Sequence, residues 1–254
     1  ALRVSGGLDI ENGAVRIRAF PQGLDNLNGR IVFNETQAKV AGLEGRFGGG
    51  RVSVSGQMGF GGVAPASFDF FITGDSLGLR YPEGLRSTFG ATLRLQGTTE
   101  SHWLTGDLLV SKALWSRKYL ITSELLSSSS TTSGFARASG LKPSPMRLDI
   151  AIKAPGTLRL DNNLASLVAK ADLTLTGSPT EPHLLGRVEV ERGKVFFRGN
   201  TYDVRKGVAN FSNPREINPV FDIEADTRVR NYRLTLQANG TFDRVSIFGT
   251  SGRS

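Results

Sequence analysis

Apolar and polar residues alternate one by one along nearly the whole chain. Leu8 and Ile10 alternate with Asp9 and Glu11, and Val15 and Ile17 with Arg16 and Arg18. Ile31 and Phe33 follow, then Val52 and Val54, the Phe68/Phe70/Ile72 stripe, Leu93 and Leu95, and Leu108 and Val110. Beyond residue 145 the rows sharpen: Leu148/Ile150/Ile152, Leu173/Leu175, Val188/Val190, Phe221/Ile223, Tyr232/Leu234/Leu236 and Val245/Ile247. A period of two puts one set of side chains on each face of a strand, so each strand has an apolar face and a wet face, the habit of antiparallel sheet. The expected class is therefore all-β.

The glycines fit that class. There are 31 in 254 residues, well above the usual share of about 7 %, and each would cost a helix about 1 kcal/mol relative to alanine. Asn12-Gly13, Asn28-Gly29, Gly48-Gly49-Gly50, Gly61-Gly62, Arg192-Gly193, Lys206-Gly207 and Asn239-Gly240 read as hairpin turns, where a positive φ is needed. Helix signals are sparse: Tyr119–Leu126 offers one short turn, and Asn163–Lys170 fits helix or strand. The rhythm breaks at the Ser/Thr/Pro-rich stretch Ser123–Pro145, read as a flexible connection between a β-rich region over 1–122 and a β domain over 146–254, with one sheet continuing across both as a further option.

The residues that carry chemistry are few. With no cysteine there is no disulfide, thiolate nucleophile or Cys-ligated metal. His102 and His183 are the two histidines, and no Gly-x-Ser-x-Gly elbow or phosphate-binding Gly-rich loop accompanies them. Asp222, Glu224 and Asp226 share one strand face about 7 Å apart. That spacing would suit a carboxylate pair or calcium, but a solvated outer face explains it more simply. Asp161-Asn162-Asn163 reads as an Asx-type turn. No catalytic residue, metal site or cofactor is expected.

The net charge of +8 sits mostly in the C-terminal half. Residues 1–124 carry 13 basic and 11 acidic residues, and residues 125–254 carry 18 and 12. Basic surface attracts anionic partners. The basic–aromatic runs at Trp115–Tyr119 and Lys194–Arg198 match no nucleic-acid motif, and no nucleic-acid partner is expected. No run reaches the 18 or so apolar residues of a membrane helix. The start has neither an initiator Met nor a signal-peptide stretch, and the chain reads as a piece of a longer protein cut at both ends. Alternation alone leaves two readings of the apolar rows open, the core of a closed sandwich or the lining of an open groove.

The C-terminal third resembles the C-terminal domain of the TamB family. The likeness runs through Asn162-Asn163-Leu164-Ala165, Leu173-x-Leu175-x-Gly177, Pro182-x-x-x-Gly186-x-Val188 and Gly193-x-Val195-x-Phe197. It continues in Gly207-x-x-x-Phe211, Pro219-x-Phe221-x-Ile223-x-Ala225 and Tyr232-x-Leu234-x-Leu236-x-x-x-Gly240-Thr241. Upstream, Leu27-x-Gly29-x-Ile31-x-Phe33, Tyr81–Arg86 and Leu104-x-Gly106-x-Leu108 are similar to the region preceding that domain.

The resemblance implies an elongated, curled antiparallel sheet, a β-taco or open groove with an apolar interior, related to bridge-like lipid transporters. It implies a periplasmic protein of a diderm bacterium, anchored in the inner membrane through regions outside this chain. The expected role is a non-enzymatic conduit carrying phospholipids between the two membranes. The alternative is an assembly factor for outer-membrane barrels, acting with a TamA-type barrel by β-strand pairing. The partners so implied are phospholipid acyl chains and an outer-membrane barrel of TamA type. The inward rows expected to line the groove are Leu148, Ile150, Ile152, Leu173, Leu175, Val188, Val190, Val195, Phe197, Phe221, Ile223, Tyr232, Leu234, Leu236, Val245 and Ile247.

Overall fold

A computed structural model describes residues 5–16, 22–61, 64–81, 83–116, 144–214, 217–241 and 244–253. Fourteen strands account for nearly all of them: β1 (Gly6–Val15), β2 (Leu24–Phe33), β3 (Gln37–Phe47), β4 (Gly50–Gly61), β5 (Ala64–Leu79), β6 (Leu85–Thr98), β7 (His102–Trp115), β8 (Met146–Asp161), β9 (Ala165–Gly177), β10 (Pro182–Phe197), β11 (Asn200–Phe211), β12 (Val220–Val229), β13 (Tyr232–Thr241) and β14 (Arg244–Arg253). They form one sheet in chain order. The sheet does not close into a barrel, and among the described residues β1 and β14 are its edge strands. At about 4.8 Å per strand it extends roughly 62 Å across. No helix long and apolar enough to cross a membrane occurs among the described residues.

Every neighbouring pair is antiparallel except β7 and β8, which run parallel with His102 opposite Met146 and Trp115 opposite Leu160. A parallel pair needs a long crossover. Ser116 and Ser144 stand at opposite ends of these strands, so the Ser-rich connection returns the chain to the side from which β7 began. That connection, apart from Ser144 and Pro145, lies outside the described residues, as does the short helical turn expected at Tyr119–Leu126. At the ambiguous Asn163–Lys170, the chain enters β9 at Ala165.

Most of the expected turns are corrected by the structure. Gly48-Gly49 is a turn. Asn12-Gly13, Asn28-Gly29, Arg192-Gly193, Lys206-Gly207 and Asn239-Gly240 instead lie within β1, β2, β10, β11 and β13. At or beside four of them the pairing slips by a residue or more: Ile10/Gly13, Asp25/Asn28, Val190/Arg192 and Val204/Lys206. These are β-bulges, which bend a strand and increase its twist. The strands are accordingly long, 10 to 16 residues, where five or six is usual. Long strands and repeated bulges let one sheet coil without a second layer.

Two glycines show why the residue matters. Gly106 has φ 135° and Gly186 has φ 119°, where side-chain-bearing residues are rare. A Cβ at Gly106 would run into the Thr92 carbonyl oxygen of the next strand, and one at Gly186 into that of Asp172. Two of the true turns are held by side-chain oxygens. Asn34 Oδ1 accepts the amide hydrogens of Thr36 and Gln37 at 3.0 and 2.9 Å. Asn162 Oδ1 accepts those of Leu164 and Ala165 at 2.9 and 3.0 Å, the Asx turn expected there.

Burial is confined to one face. The fully buried apolar residues, from Leu27 and Val40 through Ile150 and Ala154 to Ala225 and Leu236, all fall on the same registered rows. The face is concave. Val188 of β10 packs against the cluster of Val110, Ala113, Ala154 and Ala171, which draws on β7, β8 and β9. Leu24 and Phe47 likewise reach the cluster of Val52, Leu77 and Ala91. Each strand makes its substantial backbone contacts only with the strands beside it. The concave face therefore has no second layer over it among the described residues.

Candidate functional site

The antiparallel and parallel registers fix which side chains share the concave face. One continuous row illustrates it: Leu43 lies opposite Val54, Val54 opposite Ile72, Ile72 opposite Leu93, Leu93 opposite Gly106, Gly106 opposite Ile150, and Ile150 opposite Leu175. Leu175 then faces Leu184. A second row passes from Ala171 through Val188, Ala209 and Phe221 to Gly240 and Val245.

All sixteen residues expected on the inward rows fall on this one face. Leu148, Ile150 and Ile152 pair with Gly177, Leu175 and Leu173. Val188 and Val190 pair with Ala171 and Ala169, and Val195 with Tyr202. Phe197 closes the β10–β11 hairpin opposite Asn200. Phe221 and Ile223 face Gly240 and Ala238, and Leu234 and Leu236 face Thr227 and Ala225. Tyr232 lies opposite Val229, while Val245 and Ile247 lie opposite Gly240 and Ala238.

The face also extends upstream of residue 146, through residues left off that expected set: Leu8, Ile31, Val40, Val54, Phe70, Ile72, Leu93 and Leu104. Their signal was the same alternation, visible in the sequence.

In the paired rows of β1 to β13, no inward position is Asp, Glu, Lys or Arg. Among the few inward polar residues are Ser87, Thr227 and His102. His102 rests against the Phe68 ring at 5.3 Å, with Nδ1 3.0 Å from the Thr98 carbonyl oxygen. That contact makes Nδ1 the donor.

Burial along the face is graded. Ile150, near the middle of the sheet, is 5 % exposed, whereas Leu8 on β1 is 54 % and Ile247 on β14 45 % exposed. Seven of the sixteen fully buried apolar residues are alanines, and many larger inward residues, among them Phe70, Ile72, Leu93, Ile152, Leu173, Phe221 and Leu234, stay half-buried. A closed core would bury those larger side chains. The face is a trough: half of the sixteen fully buried apolar residues lie on β7 to β9, and none lies on the edge strands β1 and β14.

The outer face holds the charges, several of them in cross-strand pairs. Arg94 donates to both carboxylate oxygens of Asp69 at 2.8 Å and lies 4.9 Å over the exposed Phe71 ring. The hydrogen bond from Arg94 holds the Asp69 carboxyl below the usual carboxylate range. Lys170 does the same for Glu189, and Asp226 raises Arg205. A depressed carboxylate supports folding above its ordinary range and loses that support as pH falls through it.

Asp222 pairs with Lys206 at 2.6 Å, and Asp226 with Arg205 at 2.8 Å. The Asp222/Glu224/Asp226 row is thus an ion-paired outer face. Among the described residues no group of three or more His, Cys, Asp or Glu side chains could hold a metal.

The geometry is that of a single coiled sheet with an apolar concave face and cross-strand ion pairs on its outer face. The family model for the TamB C-terminal domain matches residues 38–248. The chain belongs to the TamB family. No curated protein matches it. The match covers most of the chain and runs from β3 into β14, taking in the parallel β7–β8 step. TamB-family proteins are bacterial envelope proteins with a role in outer-membrane assembly or lipid transport; they work with TamA-type partners and are not enzymes.

Proposed function

We propose that this chain forms part of a non-enzymatic lipid conduit, in which phospholipid acyl chains lie on the concave face and move along it between the inner and outer membranes. The observation that carries the reading is the absence of any charged residue from the paired inward rows of β1 to β13. Each methylene sheltered from water contributes about 0.8 kcal/mol. A trough lined by half-buried Leu, Ile, Val and Phe offers that shelter without specific polar contacts. The full-length protein would be anchored in the inner membrane by regions outside this chain and would cross the periplasm.

The test is a charge placed in the floor. With a photoreactive residue at Ile223, Leu234→Lys should cut crosslinking to phospholipid at least about tenfold, because an unpaired ammonium is costly beside an acyl chain. Gln237→Lys puts the same charge on the outer face of the same strand, opposite Glu224, and should leave crosslinking unchanged. Melting curves for both variants separate loss of lipid from loss of fold. Equal crosslinking in the folded Leu234→Lys protein would refute the conduit.

A second reading has its own support. β14 is an edge strand with exposed side chains over 244–252, including Phe248 at 58 %, and its free backbone groups could pair with a strand of a TamA-type barrel. On that reading, blocking the β14 edge would halt barrel assembly while lipid crosslinking at Ile223 persists.

A further inference from the structure

The strand ends form two long rims, and they differ in charge. One rim carries the turns at 48–49, 80–84, 162–164, 198–199 and 230–231; the other carries those at 34–36, 99–101 and 178–181. When each described strand is halved and each turn or connecting residue assigned to its rim, the Arg198 side holds sixteen Lys and Arg against nine Asp and Glu. The Ser178 side holds eight against eleven. Four of the eight cations of the Ser178 side are paired, Arg30 with Asp9, Arg94 with Asp69, Lys206 with Asp222 and Arg187 with Glu189. On the Arg198 side, Arg80, Arg159, Arg228 and Arg230 are exposed, and among the described residues none has a carboxylate within ion-pairing distance.

A second observation marks the turn tips. Arg198 and Arg230 sit at φ 50° and 55°, in the left-handed region that Gly and Asn enter most cheaply. A turn selected for geometry alone would take one of those residues; what arginine adds is charge. Arg198 also lies 5.3 Å over the ring of Phe197, the last inward residue of β10. The cation thus stands where the apolar floor ends.

We propose that this rim binds the anionic headgroup phosphates of phospholipids whose acyl chains occupy the trough, so that the lipids lie with their heads toward the Arg198 rim. The proposal rests on the conduit reading and adds to it a headgroup class and an orientation. Guanidinium groups bind phosphate through paired N–H donors. The tips at Arg198 and Arg230 are one hairpin apart, about 10 Å, which spaces the cations in a row along the trough.

The experiment compares phosphatidylglycerol with diacylglycerol bearing the same fluorescent chains, each titrated into three proteins. These are the wild-type chain, an Arg80→Gln/Arg198→Asn/Arg230→Asn variant, and an opposite-rim variant, Lys39→Gln/Arg147→Gln/Arg244→Gln, that removes as many charges. Asparagine relieves the turn strain, so the first variant should fold at least as well as wild type. The wild type should prefer phosphatidylglycerol, and the preference should weaken with salt. In the Arg198-rim variant the preference should fall about tenfold or more, with diacylglycerol affinity unchanged. In the opposite-rim variant it should persist.

Retention of the preference in the first variant, or equal loss in both, overturns the proposal. So does erasure of the preference by inorganic phosphate at a few millimolar, which would make the rim a free-phosphate site. Loss of sedimentation with phosphatidylglycerol vesicles, without change in single-lipid preference, overturns it in favour of a membrane-surface contact. If diacylglycerol binds but phosphatidylglycerol binds no better, the rim proposal alone fails. If neither lipid binds the wild type, the conduit falls and this proposal with it.

Discussion

A side chain at position 106 has nowhere to go. The backbone there is held at φ 135°, and the Cβ direction is blocked by the Thr92 carbonyl oxygen, a group committed to the ladder between β6 and β7. Gly106→Ala should therefore cost about 1–3 kcal/mol, the usual price of a disallowed backbone conformation, and lower the denaturation midpoint accordingly. Gly42 provides the contrast. Nothing lies within 4 Å of the Cβ position there, so Gly42→Ala should change stability by less than about 0.5 kcal/mol. An equal response at both sites would show that the bend at Gly106 is incidental. The sequence displayed such glycines but not their use: Asn-Gly and Lys-Gly pairs serve hairpin turns and bulges alike. What separates the two is whether pairing continues beyond the glycine, and that depends on a partner strand distant in sequence.

At the scale of the strand, the same face changes character along the sheet. β8 is held by a parallel neighbour on one side and an antiparallel one on the other, and contributes Leu148, Ile150 and Ala154 at 8, 5 and 1 % exposure. β14 has one neighbour, and its side chains are exposed over 244–252. Local opening free energy follows such differences. Amide exchange should therefore be slowest in β7 to β9 and fastest in β14 and β1. Uniform protection across all fourteen strands would mean that something covers the edges in solution. The inward rows themselves were legible in the sequence, because a two-residue period survives whatever the partner strand is. Leu148, Leu173, Val188, Phe221 and Leu234 share one face because alternation set their parity and the bulges at Val190/Arg192 and Val204/Lys206 preserve it. The parallel step from β7 to β8 was not legible. Alternation carries no strand direction, and the Ser-rich connection reads equally well as a linker or a crossover. The choice between sandwich and trough was hidden for a related reason. Both need the same apolar rows, and they differ only in whether a second layer covers them.

For the molecule as a whole, the open trough sets a dimension that solution scattering can read. A compact domain of 254 residues has a radius of gyration of about 18 Å. A coiled sheet of fourteen strands, about 62 Å across and built from strands of up to 16 residues, about 50 Å long, spreads its mass well beyond that. Small-angle scattering should give a radius clearly above 18 Å and a pair-distance distribution with a long tail. Loading with phospholipid should leave that radius nearly unchanged, because the trough is already formed, and should raise the melting temperature as ligand binds the folded state in preference to the unfolded one. The two readouts separate the alternatives. A radius near 18 Å would mean the inward rows have closed on one another, leaving no floor for a chain. A large radius with no thermal response to lipid would keep the trough but remove its cargo, and attention would pass to the exposed edge at β14. A large radius with a thermal response that is lost in Leu234→Lys and kept in Gln237→Lys is the outcome expected of a floor that shelters acyl chains.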